Sequence, residues 1–369
     1  YCNARCRIIA GDMPDNQSKL PPIQNQERYT YQVKLLIDMY NAGLLPEVQQ
    51  LTVEPRYGYV ATILYHNGTS RVVYGHDTGF NAGSSEKLAK DKGYAKFVLR
   101  EMGVACARGE AFLLPWWADA LQRSSRQGTN SQIISTDQAD AYIQSEIGYP
   151  VFIKPANGSQ GRGVQKVHTA SELAEVLQYY NDERVKVALI EEVIDLPDYR
   201  LLIVDGELVN AYERKPFAVQ GDGVQTIGTL IRQAAARYQT EGRDIHVEYN
   251  MPRITQYLSR DGLTLDTIPA AGKTVRLLDI SNLSAGGLPV DVTTALHPRW
   301  VELARTIAKG FNLRICGVDL ACSDITSAEA KYAVIEVNAT PGAKQFMASG
   351  VAGREKLEQL FLQLFRTAE

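Results

Sequence analysis

Several residue types from which reaction centres and cross-linked folds are built are scarce here. The 369-residue chain has five histidines. None stands at metal-site or triad spacing, so neither a Ser-His-Asp nor a Cys-His centre is evident. Its five cysteines (Cys2, Cys6, Cys106, Cys316 and Cys322) are odd in number and scattered, which fits reduced thiols in a cytoplasmic protein better than a disulfide framework. Cys2 and Cys6 have no second Cys or His pair following at zinc-like spacing. No apolar run approaches the ~18 residues needed to cross a membrane, and no secretory signal pattern opens the chain. It begins on Tyr1 rather than Met, which reads as a trimmed N-terminus. Charge of one sign is missing too: 39 basic and 42 acidic residues leave −3, which argues against a nucleic-acid or anionic-membrane partner.

What is present is an ordinary globular composition, 45% hydrophobic and 22% charged, in a chain long enough for two or three packed lobes. Residues 1–85 read as a pre-domain. A helical rhythm from Arg28 to Tyr40 is stopped by Gly43 and Pro46, and Asn67-Gly68 turns a hairpin between Tyr57–Leu64 and Arg71–Tyr74. Residues 86–150 lead in: Ser85 to Met102 predicts one helix, with Leu88, Lys92, Ala95, Leu99 and Met102 on one face. Lys92 thereby falls in an apolar stripe, where a lysine is rare. Residues 122–131 form a polar connector.

In residues 151–214 the pattern predicts strands at Val151–Lys154, Val164–Val167 and Val187–Val193. A Thr169/Glu172 capping box opens a helix, and Asp205-Gly206 turns a hairpin between Tyr199–Val204 and Glu207–Glu213. Residues 215–278 break this rhythm and read as a small inserted lobe with a basic helix around Ile231–Tyr238. Residues 279–369 carry a helix at Pro298–Gly310, strands at Ile315–Cys322 and Tyr332–Asn338, and a closing amphipathic helix. The whole is a mixed α/β (α+β) chain.

Three segments carry chemistry. The glycine-rich turn Asn157–Gly163 lies between strands, unlike a Rossmann fingerprint, which opens a helix. Its backbone amides, with Ser159 and Arg162, could meet a phosphate beside Lys154. Gly272-Lys273-Thr274 is a decoy for a P-loop, since the glycine that motif requires is Thr267 here. Asp319, with Glu336 and Asn338 two apart on the next strand, offers two carboxylates and an amide oxygen, hard ligands that suit Mg²⁺. Finally, a hydrophobic strand ends in Glu191-Glu192-Val193 and leads to Asp198, offering backbone groups to a purine edge and carboxylates to ribose hydroxyls.

In this order the segments resemble the ATP-grasp superfamily, over roughly residues 85 to 350. That resemblance implies two lobes holding ATP between sheets, with Mg²⁺ (or Mn²⁺). Lys92 and Lys154 would contact the phosphates, and Ser159, Gly161 and Gly163 would cover them. Glu191 and Val193 would meet the adenine edge, with Glu192 also at the cofactor, Asp198 would bind the ribose, and Asp319, Glu336 and Asn338 the metal. Gly221–Ile227, Asp261–Pro269, Asn282–Gly287 and Asp291–Thr293 are further similar to the ATP-grasp half of cyanophycin synthetases and to the related half of bifunctional glutathione synthetases. This implies an acyl-phosphate cradled around Asn282 and Gly287 and neutralised by Arg214 and Lys154. The chain stops short of the Mur-ligase half of cyanophycin synthetases, which points to a stand-alone ligase acting on amino acids or short peptides. Related enzymes are often dimers or tetramers. A nucleotide-binding module without catalysis, or a kinase- or carboxylase-like relative, would use the same lobes. The intact Asp319/Glu336/Asn338 set counts against the first, and the absence of a biotin-type partner segment against the second.

Overall fold

The computed structural model describes residues 23–26, 28–123, 134–158, 161, 163–240, 247–341 and 351–366. Every pairing between its strands is antiparallel. A helix α1 (Tyr31–Asn41) precedes a three-stranded meander of β1 (Val48–Val53), β2 (Val60–Tyr65) and β3 (Ser70–Tyr74), the last two turned by Asn67-Gly68 as expected.

The single helix expected over Ser85–Met102 is instead two, α2 (Gly83–Lys90) and α3 (Lys92–Glu101). Asp91 between them is extended, and its side chain accepts the N–H groups of Gly93 at 3.1 Å and Tyr94 at 3.2 Å. An aspartate satisfying two otherwise orphaned donors starts a new helix more favourably than it continues an old one. Lys92 thus becomes the first residue of α3.

A four-stranded sheet follows, in the order β4 (Gly109–Leu113), β7 (Val187–Glu192), β5 (Val151–Pro155), β6 (Gln165–Val167). It is backed by α4 (Pro115–Gln122), α5 (Ala139–Tyr142) and α6 (Ala170–Asp182). Thr169 caps α6 by accepting the Glu172 N–H, and Glu172 accepts that of His168. Leu173, Val176 and Tyr180 of α6 pack with Val151, Ile153 and Ile190 in this lobe's core.

The five-stranded sheet runs β12 (Leu288–Asp291), β9 (Glu207–Lys215), β8 (Asp198–Val204), β13 (Ile315–Cys322), β14 (Tyr332–Asn338). Strand alternation divides its residues between two cores. Leu201, Ile203, Cys316, Val318, Leu320 and Cys322 pack with Trp300 and Ile307, which come from a helix at Pro298–Gly310. Leu202, Val204 and Val209, on the opposite face, pack with α1, the meander and the helix Val351–Arg366. The meander therefore covers one end of that face. The other end carries Asp198, Arg200 and Asp319.

Between β9 and β12, a two-stranded ribbon of β10 (Ala218–Gln220) and β11 (Thr274–Arg276) joins α7 (Ile227–Thr240) and α8 (Val247–Arg260) around Phe217, Ile231, Tyr238, Ile254 and Leu258.

Candidate functional site

Two ionic clusters form, one where the four-stranded sheet meets α3 and β14, the other on the five-stranded sheet. In the first, Glu191 on β7 is buried between Lys96 of α3, at 2.7 Å, and Lys154 of β5. Burial alone would raise the Glu191 carboxyl, but Lys154 and Lys96 together hold it below the ordinary carboxylate range. The Lys96 ammonium also donates to the Ala107 carbonyl. Close by, Lys92 joins three segments. Its backbone N–H donates to the Ala156 carbonyl at 3.2 Å, and its ammonium reaches the Gly158 carbonyl at 2.6 Å and Glu336 at 3.1 Å.

Strand register dictates the second cluster. Arg200 of β8 is the partner of Asp319 on β13, and Asp198 that of Arg214 on β9. Partners across antiparallel strands point to one face. Arg200 engages both oxygens of Asp319, with Nη2 2.8 Å from Oδ2. Arg214 Nη2 bridges Asp198 at 2.6 Å and Asp319 at 3.0 Å. Burial would raise the Asp319 carboxyl, yet the two guanidiniums keep it below its usual value. Asp198, half-buried and sharing its arginine with Asp319, is pushed up to about 6 by burial and by that neighbouring carboxylate.

Asp319 is also the register partner of Glu336, next to a bulge at Leu320. Val334 and Val337 face the core, which leaves Glu336 and Asn338 beside Asp319 on the opposite side. Asn338 Nδ2 is buried and has no hydrogen-bond partner among the described residues.

The glycine turn meets the inserted lobe. Gly161, at φ 69°, packs against the Asn282 amide and Ile280, and Gly163, at φ 73°, against Pro155 and Tyr180. The Tyr180 hydroxyl donates to the Gly163 carbonyl. Asn282 accepts the N–H groups of Ala285 at 3.0 Å and Gly287 at 3.1 Å. A Cβ at Gly287 would lie 2.6 Å from the Ser281 carbonyl and 2.9 Å from that of Lys215, so only glycine fits there.

The structure thus brings together Lys92, Lys154, Glu191 and Glu336, and separately Asp198, Arg214 and Asp319. Gly161 and Gly163 lie beside Asn282. Two residues expected at the nucleotide pair with arginines. Glu192, one residue past Glu191, points to the opposite face and pairs with Arg108 at 2.8 Å. Asp198 lies in the arginine cluster instead of beside the Glu191 strand end, which Val193 follows. Ser159 and Arg162 lie outside the described residues, as do Cys2, Cys6 and most of the connector 122–131. Lys96 and Arg200 escaped the sequence reading, although each had a signal. Lys96 is one helical turn after Lys92, and Arg200 shares a strand face with Asp198.

Comparison with known proteins agrees with this architecture. Residues 126–247 match the family model "D-ala D-ala ligase C-terminus", and residues 279–360 match "RimK-like ATP-grasp domain". The cyanophycin synthetase of Geminocystis herdmanii is 31% identical over 274 residues, covering 71% of this chain and 28% of that protein. The glutathione biosynthesis bifunctional protein of Mannheimia succiniciproducens is 32% identical over 222 residues, covering 57% of this chain and 29% of its own length. The chain therefore spans under a third of either relative. Among solved structures, a bifunctional glutathione synthetase from Pasteurella multocida superposes with a TM-score of 0.54 at 21% identity, over 91% of this chain and 44% of that one. The paired sheets and both family matches lead to one assignment: the chain carries an ATP-grasp ligase domain related to those of cyanophycin synthetase and of the bifunctional glutathione protein.

Proposed function

We propose that this protein joins a carboxylate to an amine, on amino acids or short peptides, through an acyl-phosphate, with release of ADP and phosphate. The observation that carries the reading is the convergence of Lys92, Lys96 and Lys154 on Glu191 and Glu336 in the space between the two sheets. Three ammonium groups gathered about two carboxylates supply the positive charge that a polyphosphate needs.

The acid set suits a divalent cation. Asp319 is held ionised, and its register partner Glu336 and the adjacent Asn338 complete a group of hard oxygen donors. These three residues would hold Mg²⁺, which supplies charge neutralisation for the phosphates when bound. Lys92 and Lys154 would orient the nucleotide. Arg214, already poised between two carboxylates, would offset the charge that grows as a carboxylate attacks the γ-phosphate. Asn282 and Gly287, folded into a tight turn against the glycine loop, would hold the acyl group until the amine displaces phosphate. Positioning and charge neutralisation suffice for this chemistry, so no nucleophilic side chain is called on.

The test is Glu336→Ala. ADP formation should be lost in a coupled assay while circular dichroism shows the fold intact, with some fall in melting temperature because Lys92 loses its partner. An alanine variant that still forms ADP removes Glu336 from the site. Phosphate release that requires both a carboxylate and an amine, with hydroxylamine trapping of the intermediate, separates ligation from phosphorylation of a hydroxyl. Screening pairs of amino acids and short peptides by the same readout identifies the substrates.

A further inference from the structure

The inserted lobe holds the glycine turn through one side chain that neither the sequence motifs nor the proposed reaction assigns. Arg253 projects from α8, whose Ile254 and Leu258 are buried in that lobe's own core. Its Nη2 donates to the Val164 carbonyl at 2.8 Å and its Nη1 to the Gly161 carbonyl at 3.4 Å. The strand that follows the turn is tied to the same lobe. Lys166 lies 4.0 Å from Asp279, which Arg260 of α8 pairs at 3.0 Å.

From this geometry we infer that Arg253 is a positioning residue for nucleotide binding: it fixes the glycine turn from the side of the inserted lobe. The inference rests on the ligase reading above and extends it to a residue outside the cleft's own sheets. Its physical basis is twofold. Gly161 and Gly163 both hold positive φ, a conformation glycine reaches easily and leaves as easily. Ordering such a turn costs conformational entropy, which a donor gripping the carbonyls of Gly161 and of Val164, just past the turn, meets before any ligand arrives. In addition, peptide carbonyl oxygens repel phosphate oxygens. A guanidinium that engages two of them fixes their direction and places a positive charge behind the turn.

The variants are Arg253→Met, which keeps the length of the side chain, and Arg253→Lys, which keeps the charge and one donor. Losing a charged hydrogen bond weakens binding by about 10-fold or more. The methionine variant should therefore bind a non-hydrolysable ATP analogue with magnesium about 10-fold more weakly in calorimetry. The lysine variant should recover part of that loss. In turnover the defect should appear in the KM for ATP, with kcat changed less. Without any nucleotide, amide exchange at Gly161 and Val164 should quicken in the methionine variant while the α8 core keeps its protection. Wild-type affinity in both variants, or exchange that quickens throughout the lobe and not at the turn, overturns the inference. Wild-type protein that binds no nucleotide overturns the ligase reading instead, and the two failures are told apart by the exchange measurement.

Discussion

Lys96→Met provides a demanding test of how the cleft is held together. Lys96 and Glu191 are 4% and 5% exposed, and their charged atoms are 2.7 Å apart. At an effective dielectric of about 20 the gross attraction is about 6 kcal/mol, much of it cancelled by the cost of taking both ions out of water. Removing one partner leaves that cost unopposed, and such changes typically destabilise by about 3–5 kcal/mol. Lys154 still contacts Glu191, so the lower end applies, about 3 kcal/mol, or a fall of about 4 °C in melting temperature for a chain of this length. Methionine matches lysine in volume, so no cavity adds to the effect. Acidification sharpens the test. The folded Glu191 carboxyl lies below its ordinary value, so its contribution is complete above the unfolded pKa of about 4.3 and is lost as pH falls through the folded value. With Lys96 gone, burial outweighs the remaining lysine more nearly, and the loss should begin at a higher pH. Urea titrations of Lys96→Met, Glu191→Gln and the double variant, repeated from pH 4 to 8, give the coupling. A single-variant cost below about 1 kcal/mol, or strict additivity in the double variant, would refute the reasoning.

Two further outcomes follow from local chemistry. Asp91→Ala removes the acceptor for the first amides of α3 and should cost about 1 kcal/mol by thermal unfolding. It should also weaken nucleotide binding, because Lys92 is the next residue. Glu86, half-buried beside Asp77, has its carboxyl raised to about 7 by burial and by that neighbour. The folded chain then binds a proton the unfolded chain has released between about pH 4.3 and 7, so this group's effect on stability worsens as pH rises across that range. Glu86→Gln should therefore raise the melting temperature more at pH 8 than at pH 5, and an equal shift at both values would count against the Asp77–Glu86 contact.

Elements whose identity is local were legible in the sequence. Pro298–Gly310, Ile315–Cys322 and Tyr332–Asn338 fold as read, because each combines a clear period with punctuation at its ends. Asp205-Gly206 also turns its hairpin, both residues having positive φ. The α2–α3 junction was not legible, since the residues around Asp91 have helical rhythm throughout and only the capping geometry reveals the break. Site partners were hardest to foresee. Glu191 and Lys96 are 95 positions apart, and Arg200 and Asp319 are 119 apart; only sheet register and the docking of α3 bring them into contact. The alternation on β8 placed Arg200 beside Asp198, but nothing in the chain announces which strand will lie next to it.

The position of Lys92 has a mechanical corollary. One ammonium touches the turn after β5 and the edge strand of the opposite sheet, while its own amide is tied to the first of these. An incoming anion that claims this charge must loosen both attachments together. Separation of the layers and filling of the gap between them then become a single coordinate, so spectroscopic probes on either sheet should report the same transition at the same ligand concentration.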